Sequence, residues 1–232
     1  MLTGPAGCAK VQGMLTVAHR GGNSVAGLTA ALAAGVDLVE ADVQLYRGAL
    51  EVRHSRTVGP RLLWDRNGGL TRRGEVPELV RILDVAAGDR RLLLDLKGRS
   101  SGVAERVAAT LRERAPGVPV AVCTKQWAML DAFAAEPHVR RIFSAATAAQ
   151  LGRLRARMRE APVDGVSIRL RLLTPAVVDE LRRSTDLVLA WSVDSGAELA
   201  GARRLGVTGV ISKSLPLLRE VIRRRAEDQA RP

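Results

Sequence analysis

Two short clusters, His19-Arg20-Gly21 and Glu40-Ala41-Asp42, sit where apolar runs turn polar, and each gathers side chains that can do chemistry. A histidine beside an arginine sets a proton-transfer group next to a permanent cation. Glutamate and aspartate two residues apart on a strand face the same way and make half of a site for a hard cation. His54 and the run Asp95-Leu96-Lys97 add a second imidazole, a third carboxylate and an ammonium. The chain has only three histidines, and two belong to this set. Together these groups are the equipment of metal-assisted acid–base chemistry at an anionic centre.

Residues this far apart in sequence need a scaffold that brings strand ends together. Short apolar runs at 16–19, 38–43, 92–97, 120–124, 141–144, 165–169, 187–193 and 209–212 read as eight strands. Helical spacing lies between them, as in Val25, Leu28, Leu32 and in Val103, Val107, Leu111. Thr147 with Gln150, Ser195 with Glu198, and Thr174 before Pro175 read as helix starts, and Gly206 as a helix stop. Eight strand-then-helix units with short connections predict the α/β class and a closed TIM-type (β/α)8 barrel over an open doubly wound sheet. No linker divides the chain, so residues 1–232 are expected to form one domain, close to the roughly 250 residues of such barrels.

One connection is longer than the rest. More than thirty residues separate the second strand from the helix expected at 77–87, and in 49–54 Leu50 and Val52 alternate with Glu51 and Arg53. This predicts an extra strand or hairpin, inserted after the second strand, that carries His54 over the barrel mouth. His19 and Arg20 end the first strand, Glu40 and Asp42 lie on the second, and Asp95 and Lys97 end the third. In a barrel these ends meet at the C-terminal face, where active sites form.

Composition narrows the function classes. Hydrophobic residues make up 47% and aromatic ones 3%, so the core is built of Ala, Val and Leu, which excludes wholesale disorder. No apolar stretch reaches the roughly 20 residues that span a bilayer, and residues 1–14 carry no apolar signal core, so a cytoplasmic location is expected. Cys8 and Cys123 are expected as free thiols. The net charge of +12 comes from 32 Arg and four Lys spread along the chain without interleaved aromatics. That pattern argues against specific nucleic-acid binding and leaves a weak attraction to anionic substrates or an anionic membrane surface. Arg153, Arg155, Arg157 and Arg159 read as a solvated helix face, and His138 as a surface residue. Nothing in the sequence specifies an oligomeric state.

The order His19-Arg20-Gly21, Asn23-Ser24, Gly35-Val36-Asp37-Leu38-Val39-Glu40-Ala41-Asp42-Val43, Val52-Arg53-His54 and Leu94-Asp95-Leu96-Lys97 resembles the glycerophosphodiester phosphodiesterase family. Val76-Pro77-Glu78-Leu79, Trp191-Ser192-Val193-Asp194 and Gly206-Val207-Thr208-Gly209-Val210-Ile211-Ser212 extend the resemblance to nearly the whole chain. It implies a (β/α)8 barrel and one divalent cation, Mg2+ or Ca2+, held by Glu40, Asp42 and Asp95. It also implies His19 and His54 as the acid–base pair, either of which could be the base, and Arg20 and Lys97 on phosphate oxygens. The implied reaction releases glycerol 3-phosphate and an alcohol from a small phosphodiester or lysolipid, with the substrate's own hydroxyl as nucleophile and a cyclic phosphate on the path.

The chain also departs from the family pattern. Gly22-Asn23-Ser24 stands where the family usually has Glu-Asn-Thr, Ser55 where a His-Asp pair has its Asp, and Lys213 where an Asp is common. The first change, with Asp95, is similar to the sphingomyelinase D and phospholipase D branch, whose headgroup-cleaving lyases are the nearest alternative. A barrel that only binds phosphorylated ligands or anionic surfaces is the rival from another class. Three of the four lysines, Lys97, Lys125 and Lys213, directly end strands, which suggests a ring of point cations for substrate. Trp191 and Trp127 are candidate apolar walls for a glycerol or lipid moiety, and Arg169 and Arg171 follow the sixth strand toward the mouth or solvent.

Overall fold

Sequential pairing carries eight parallel strands around a full circle in the computed structural model, which describes residues 13–65, 68–98 and 100–230. Cys8, one of the two expected thiols, lies outside the described residues. In chain order the strands are β1 (Leu15–Ala18), β2 (Leu38–Tyr46), β3 (Ala49–Val52), β4 (Arg56–Val58), β5 (Leu62–Asp65), β6 (Gly69–Arg72), β7 (Leu92–Leu96), β8 (Val120–Thr124), β9 (Val139–Ala145), β10 (Gly165–Arg169), β11 (Val188–Trp191) and β12 (Gly209–Ser212). The barrel order is β1, β2, β7, β8, β9, β10, β11, β12. The pairings Val17 with Leu38 and Val17 with Ile211 close it on both sides of β1.

The strands are apolar on both faces because both are covered. Inward residues Val17, Leu93, Ala121, Cys123, Ile142, Leu189 and Ile211 plug the barrel, and the outward ones pack under the helices. Each fully buried aliphatic side chain contributes on the order of 1.5–3 kcal/mol. Cys123 is a free, buried thiol in the plug.

Helices α1 (Val25–Ala33), α2 (Leu79–Ala86), α3 (Gly102–Arg114), α4 (Ala148–Glu160), α5 (Pro175–Arg182), α6 (Gly196–Leu205) and α7 (Leu215–Gln229) cover the outside. The unit after β8 has a 3-10 stretch, Trp127–Phe133, in place of an α-helix. The expected helix starts are all present: Thr147, Thr174 and Ser195 accept backbone N–H bonds, and Ser195 with Glu198 forms a full capping box. Gly206 ends α6 at φ 73, where glycine avoids the Cβ penalty.

The insertion after β2 is larger than one hairpin. β3 turns back antiparallel on β2, with Val43 opposite Val52, and β4, β5 and β6 form a separate three-stranded antiparallel sheet. Buried Glu51 anchors it, accepting bonds from Arg53 Nε at 2.7 Å and from Arg73. Arg53 also donates to Thr57 Oγ1 at 2.8 Å. No helix among the described residues is long and apolar enough to cross a membrane.

Candidate active site and metal centre

Strand β2 turns Glu40, Asp42 and Gln44 toward the barrel axis, while the alternate residues Val39, Ala41 and Val43 enter the outer core. Parallel pairing with β7 sets Asp95 directly opposite Asp42. Glu40, Asp42 and Asp95 thereby each offer a carboxylate oxygen, and these lie within 4.8 Å of one another. Lys97, one turn of the strand period beyond Asp95, reaches Asp42 Oδ1 at 2.6 Å and also contacts Asp95. Three carboxylates face one ammonium and the Arg20 guanidinium, whose Nε lies 3.7 Å from Asp42 Oδ2, and so outnumber the cations by one in a nearly dry space.

The electrostatics follow from that surplus. Burial opposes ionisation of Asp42, yet the charge and hydrogen bond of Lys97, together with the hydrogen bond from Asn23, pull the carboxyl down to about 2. Burial and the neighbouring Asp42 push Glu40 well above the usual carboxylate range, with only partial relief from Lys97 and the Arg20 N–H. Burial works against the Lys97 charge too, but Asp95, Asp42 and Glu40 raise its pKa. Asp95 Oδ1 is buried with no hydrogen-bond partner. An oxygen-only donor set with an orphaned oxygen and uncompensated charge fits a hard divalent cation.

Neighbouring groups hold this cluster in place. Asn23 donates from Nδ2 to Asp42 Oδ2 at 2.7 Å and accepts the Asp42 N–H at 2.8 Å, so both bonds orient that carboxylate. Arg20 takes φ 58, which costs on the order of 1 kcal/mol for a residue with a Cβ and points its N–H at Glu40 Oε2, 2.5 Å away. Gly22 is buried against Ala41: a Cβ there would lie 2.7 Å from the Ala41 Cβ and 3.2 Å from the Glu40 carbonyl. The position where the family pattern has Glu therefore has no room here for any side chain.

Both catalytic candidates reach the mouth. His19 follows β1, and its N–H bonds the Ser212 carbonyl of β12. Burial and the Arg20 cation lower its pKa to about 4 against the opposing pull of Asp42, with Lys213 and Lys97 assisting. Its Nδ1 is buried and has no hydrogen-bond partner. His54 sits between β3 and β4, where Gln44 Nε2 holds the loop through the carbonyls of Arg53, His54 and Ser55 at 2.8, 3.1 and 3.0 Å.

Ser55 suggests by its sequence position that His54 lacks a carboxylate. The fold supplies one from elsewhere: Asp65, at the end of β5, lies 2.6 Å from His54 Nδ1 and 3.4 Å from Arg20 Nη1. Sequence reasoning missed Asp65 because it is eleven residues from His54 and no periodicity relates them. Gln44 was legible in principle, as the next inward position after Glu40 and Asp42.

The remaining strand ends at the mouth carry cations: Lys125 follows β8, the neighbour of β7, Arg169 ends β10 and Lys213 follows β12. Trp191 ends β11 and packs toward the barrel interior, with Lys125 Nζ 5.5 Å and Arg169 Cζ 6.0 Å from its ring centroid. Lys213 follows β12 on the His19 side. The side-chain cations of Lys125, Arg169 and Lys213 pair with no carboxylate among the described residues, although the Lys213 backbone N–H donates to Asp194 Oδ1 at 2.8 Å. Trp127 is not a wall of this site: its indole donates to the Ser144 carbonyl at 2.9 Å and packs edge-on against Phe143 in the outer layer. Arg171 is exposed. His138 is half-buried beside Glu136 at 3.9 Å, remote from the mouth. Arg155 and Arg159 pair with Glu180, on a helix face that is otherwise largely solvated.

No family model and no curated protein matches this sequence. Solved structures do share its fold. A glycerophosphodiester phosphodiesterase from Thermotoga maritima superposes with a TM-score of 0.72 at 16% identity, covering 90% of this chain and 98% of that one. A glycerophosphodiester phosphodiesterase from Parabacteroides distasonis gives 0.70 at 16% identity, over 92% and 98%. A phosphodiesterase from Oleispira antarctica, in complex with its product sn-glycerol-3-phosphate, gives 0.69 at 19% identity, over 90% and 96%.

Proposed function

We propose that this chain is a phosphoric diester hydrolase that converts glycerophosphodiesters to glycerol 3-phosphate and an alcohol. The observation that carries the reading is one cluster at the barrel mouth: three converging carboxylates flanked by His19 and by the His54–Asp65 pair. A site that only binds phosphate needs no acid–base pair, which weighs against a non-catalytic barrel. Similarity of fold to phosphodiesterases, one of them holding glycerol 3-phosphate, supports the same reading.

Glu40, Asp42 and Asp95 would hold one divalent cation, Mg2+ or Ca2+, which supplies charge neutralisation for the diester and its transition state. Arg20 and Lys97 bind the non-bridging phosphate oxygens from either side of Asp42. His19 stays neutral through the physiological range and is the base, taking the proton from the glycerol hydroxyl next to the phosphate. That oxygen bonds to phosphorus as the bond to the leaving alcohol breaks, and His54 gives the alkoxide its proton. Asp65 fixes the His54 ring orientation and stands beside the charge the ring carries as the acid. Water then opens the cyclic phosphate with the two imidazoles in exchanged roles. Lys125, Trp191 and Lys213 line the substrate's path, and the protein works in the cytoplasm on soluble diesters or lysolipids.

The absence of space at Gly22 for a fourth carboxylate favours one second reading, a headgroup-cleaving lyase that stops at the cyclic phosphate. The test is release of glycerol 3-phosphate from glycerophosphocholine, glycerophosphoethanolamine and a lysolipid, with and without EDTA, followed by phosphorus NMR. Full activity in EDTA or in His19→Ala refutes the mechanism. A cyclic product that never opens selects the lyase, and inertness toward every diester selects a binding barrel.

A further inference from the structure

The sheet of β4, β5 and β6 has one face turned to the barrel and one turned away. Its register aligns Arg56, Trp64 and Leu70 in one cross-strand row and Val58, Leu62 and Arg72 in the next. Residues two apart share a face, so these six side chains form a single outward surface. The intervening residue Leu63 faces inward and is buried, and Asp65 turns inward to His54 and Arg20.

That outward surface is anomalous for a soluble face. Val58, Trp64 and Leu70 are 45%, 41% and 56% exposed, and with Leu45 at the end of β2 they are the only large apolar side chains exposed among the described residues. Three of the four, Val58, Trp64 and Leu70, lie on the insertion beside the mouth, and Leu45 lies on the end of β2 that leads into it. Such confinement of apolar exposure marks an interaction surface. Its rim is basic: Arg56 and Arg72 lie at the ends of the two rows, Arg61 lies in the β4–β5 turn, and all three are exposed with no carboxylate partner among the described residues. A tryptophan and two aliphatic residues framed by arginines match the headgroup layer of an anionic bilayer, where indoles sit at the polar boundary and guanidinium groups meet lipid phosphates.

We propose that this face docks the protein on anionic membrane surfaces, with Trp64 and Leu70 entering the headgroup layer and Arg56, Arg61 and Arg72 binding lipid phosphates. Trp64 and Asp65 are adjacent on one strand and point to opposite faces, so docking sets the bilayer one sheet thickness from His54. The substrate class that this placement serves is a diester carried on a lipid, such as a lysophospholipid, which reaches the mouth without crossing bulk water. This last step rests on the reading under Proposed function; the docking itself does not.

Vesicle sedimentation decides the docking. The full chain is mixed, at physiological salt and in EDTA, with vesicles of phosphatidylcholine alone or of phosphatidylcholine and phosphatidylglycerol in equal parts. Binding is expected to favour the anionic vesicles at least tenfold, to fall at least tenfold in Trp64→Ser/Leu70→Ser, and to lose most of its anionic preference in Arg56→Gln/Arg72→Gln. No binding to anionic vesicles overturns the proposal, as does binding that the Trp64→Ser/Leu70→Ser variant retains. So does a concentration-dependent dimer that the same variant abolishes, since the face would then serve a second copy. A separate assay compares turnover of vesicle-borne lysolipid with that of soluble glycerophosphocholine, and the ratio is expected to drop in Trp64→Ser/Leu70→Ser. Vesicle binding without turnover of either substrate upholds the docking and refutes the hydrolase reading.

Discussion

Asp65→Asn removes one negative charge and leaves the size of the side chain unchanged. The lost interaction is a 2.6 Å contact to His54 Nδ1 between side chains that are 16% and 35% exposed. Hydrogen bonds to charged groups contribute about 1.5–3 kcal/mol. Partial exposure of the imidazole calls for the lower end, about 1.5–2 kcal/mol. If that energy is needed only when His54 carries its second proton, kcat falls roughly 10- to 30-fold. Asp65 also meets Arg20 Nη1 at the longer distance of 3.4 Å. A long, partly exposed pair of that kind, with side chains 23% and 16% exposed, contributes about 0.5 kcal/mol, so KM rises only about twofold. The assay is steady-state release of glycerol 3-phosphate at saturating divalent cation, with circular dichroism and thermal melting to verify folding. Asp65→Glu is expected to recover part of kcat, because it keeps the charge and shifts its position. A folded Asp65→Asn variant whose kcat lies within twofold of the parent refutes the role assigned to Asp65, as does a loss confined to KM.

Further outcomes follow from the same geometry. Because His19 is held at about 4, below its ordinary 6.5, by burial and the Arg20 cation, the acid limb of kcat/KM is expected near pH 4 if His19 is the base. A limb at 6.5 that disappears in His19→Gln contradicts the burial argument. The unfolded chain takes up this proton between pH 6.5 and 4 while the folded one resists it, so stability declines as pH falls through that window; thermal melts of His19→Gln should show a shallower decline. Saturation with Mg2+ or Ca2+ at a hundred times its dissociation constant is expected to stabilise the fold by about 2.7 kcal/mol, and Asp95→Asn should remove most of the shift in melting temperature. Gly22→Ala should destabilise by about 1–3 kcal/mol through overpacking against Ala41, read by urea denaturation, and Gly22→Glu should fail to increase cation affinity. Lys125→Met with Lys213→Met is expected to raise KM about tenfold with little change in kcat; unchanged substrate affinity would remove the cationic rim from substrate binding.

Local sequence patterns determined the barrel and half of its site. Strands apolar on both faces, separated by capped helices, leave few arrangements besides a closed parallel sheet, because each strand must be covered inside and out. The period of two along β2 was enough to put Glu40 and Asp42 on one face, and strand-end placement was enough to bring His19, Asp95 and Lys97 near them. The insertion was legible as an extra strand or hairpin carrying His54, which β3 is, but not as the further three-stranded sheet that follows it. Its further residues follow no period that relates them to the barrel, and their positions depend on how the three-stranded sheet folds back over the mouth.

Tertiary structure alone decided what stands beside His54. Ser55 marks a missing carboxylate when the chain is read in order, and Asp65 restores one across a turn of the insertion, since hydrogen bonding depends on separation in space and not along the chain. The same holds for Gly22, whose lack of a side chain reads as a lost ligand in sequence and becomes a packing requirement against Ala41 in the fold. Trp127 and Trp191 look alike as strand-end tryptophans; only the barrel sends one into the outer core and the other to the mouth. Residue type and local spacing specify which chemistry is available, whereas partnership between groups is settled by long-range packing, which no local pattern encodes.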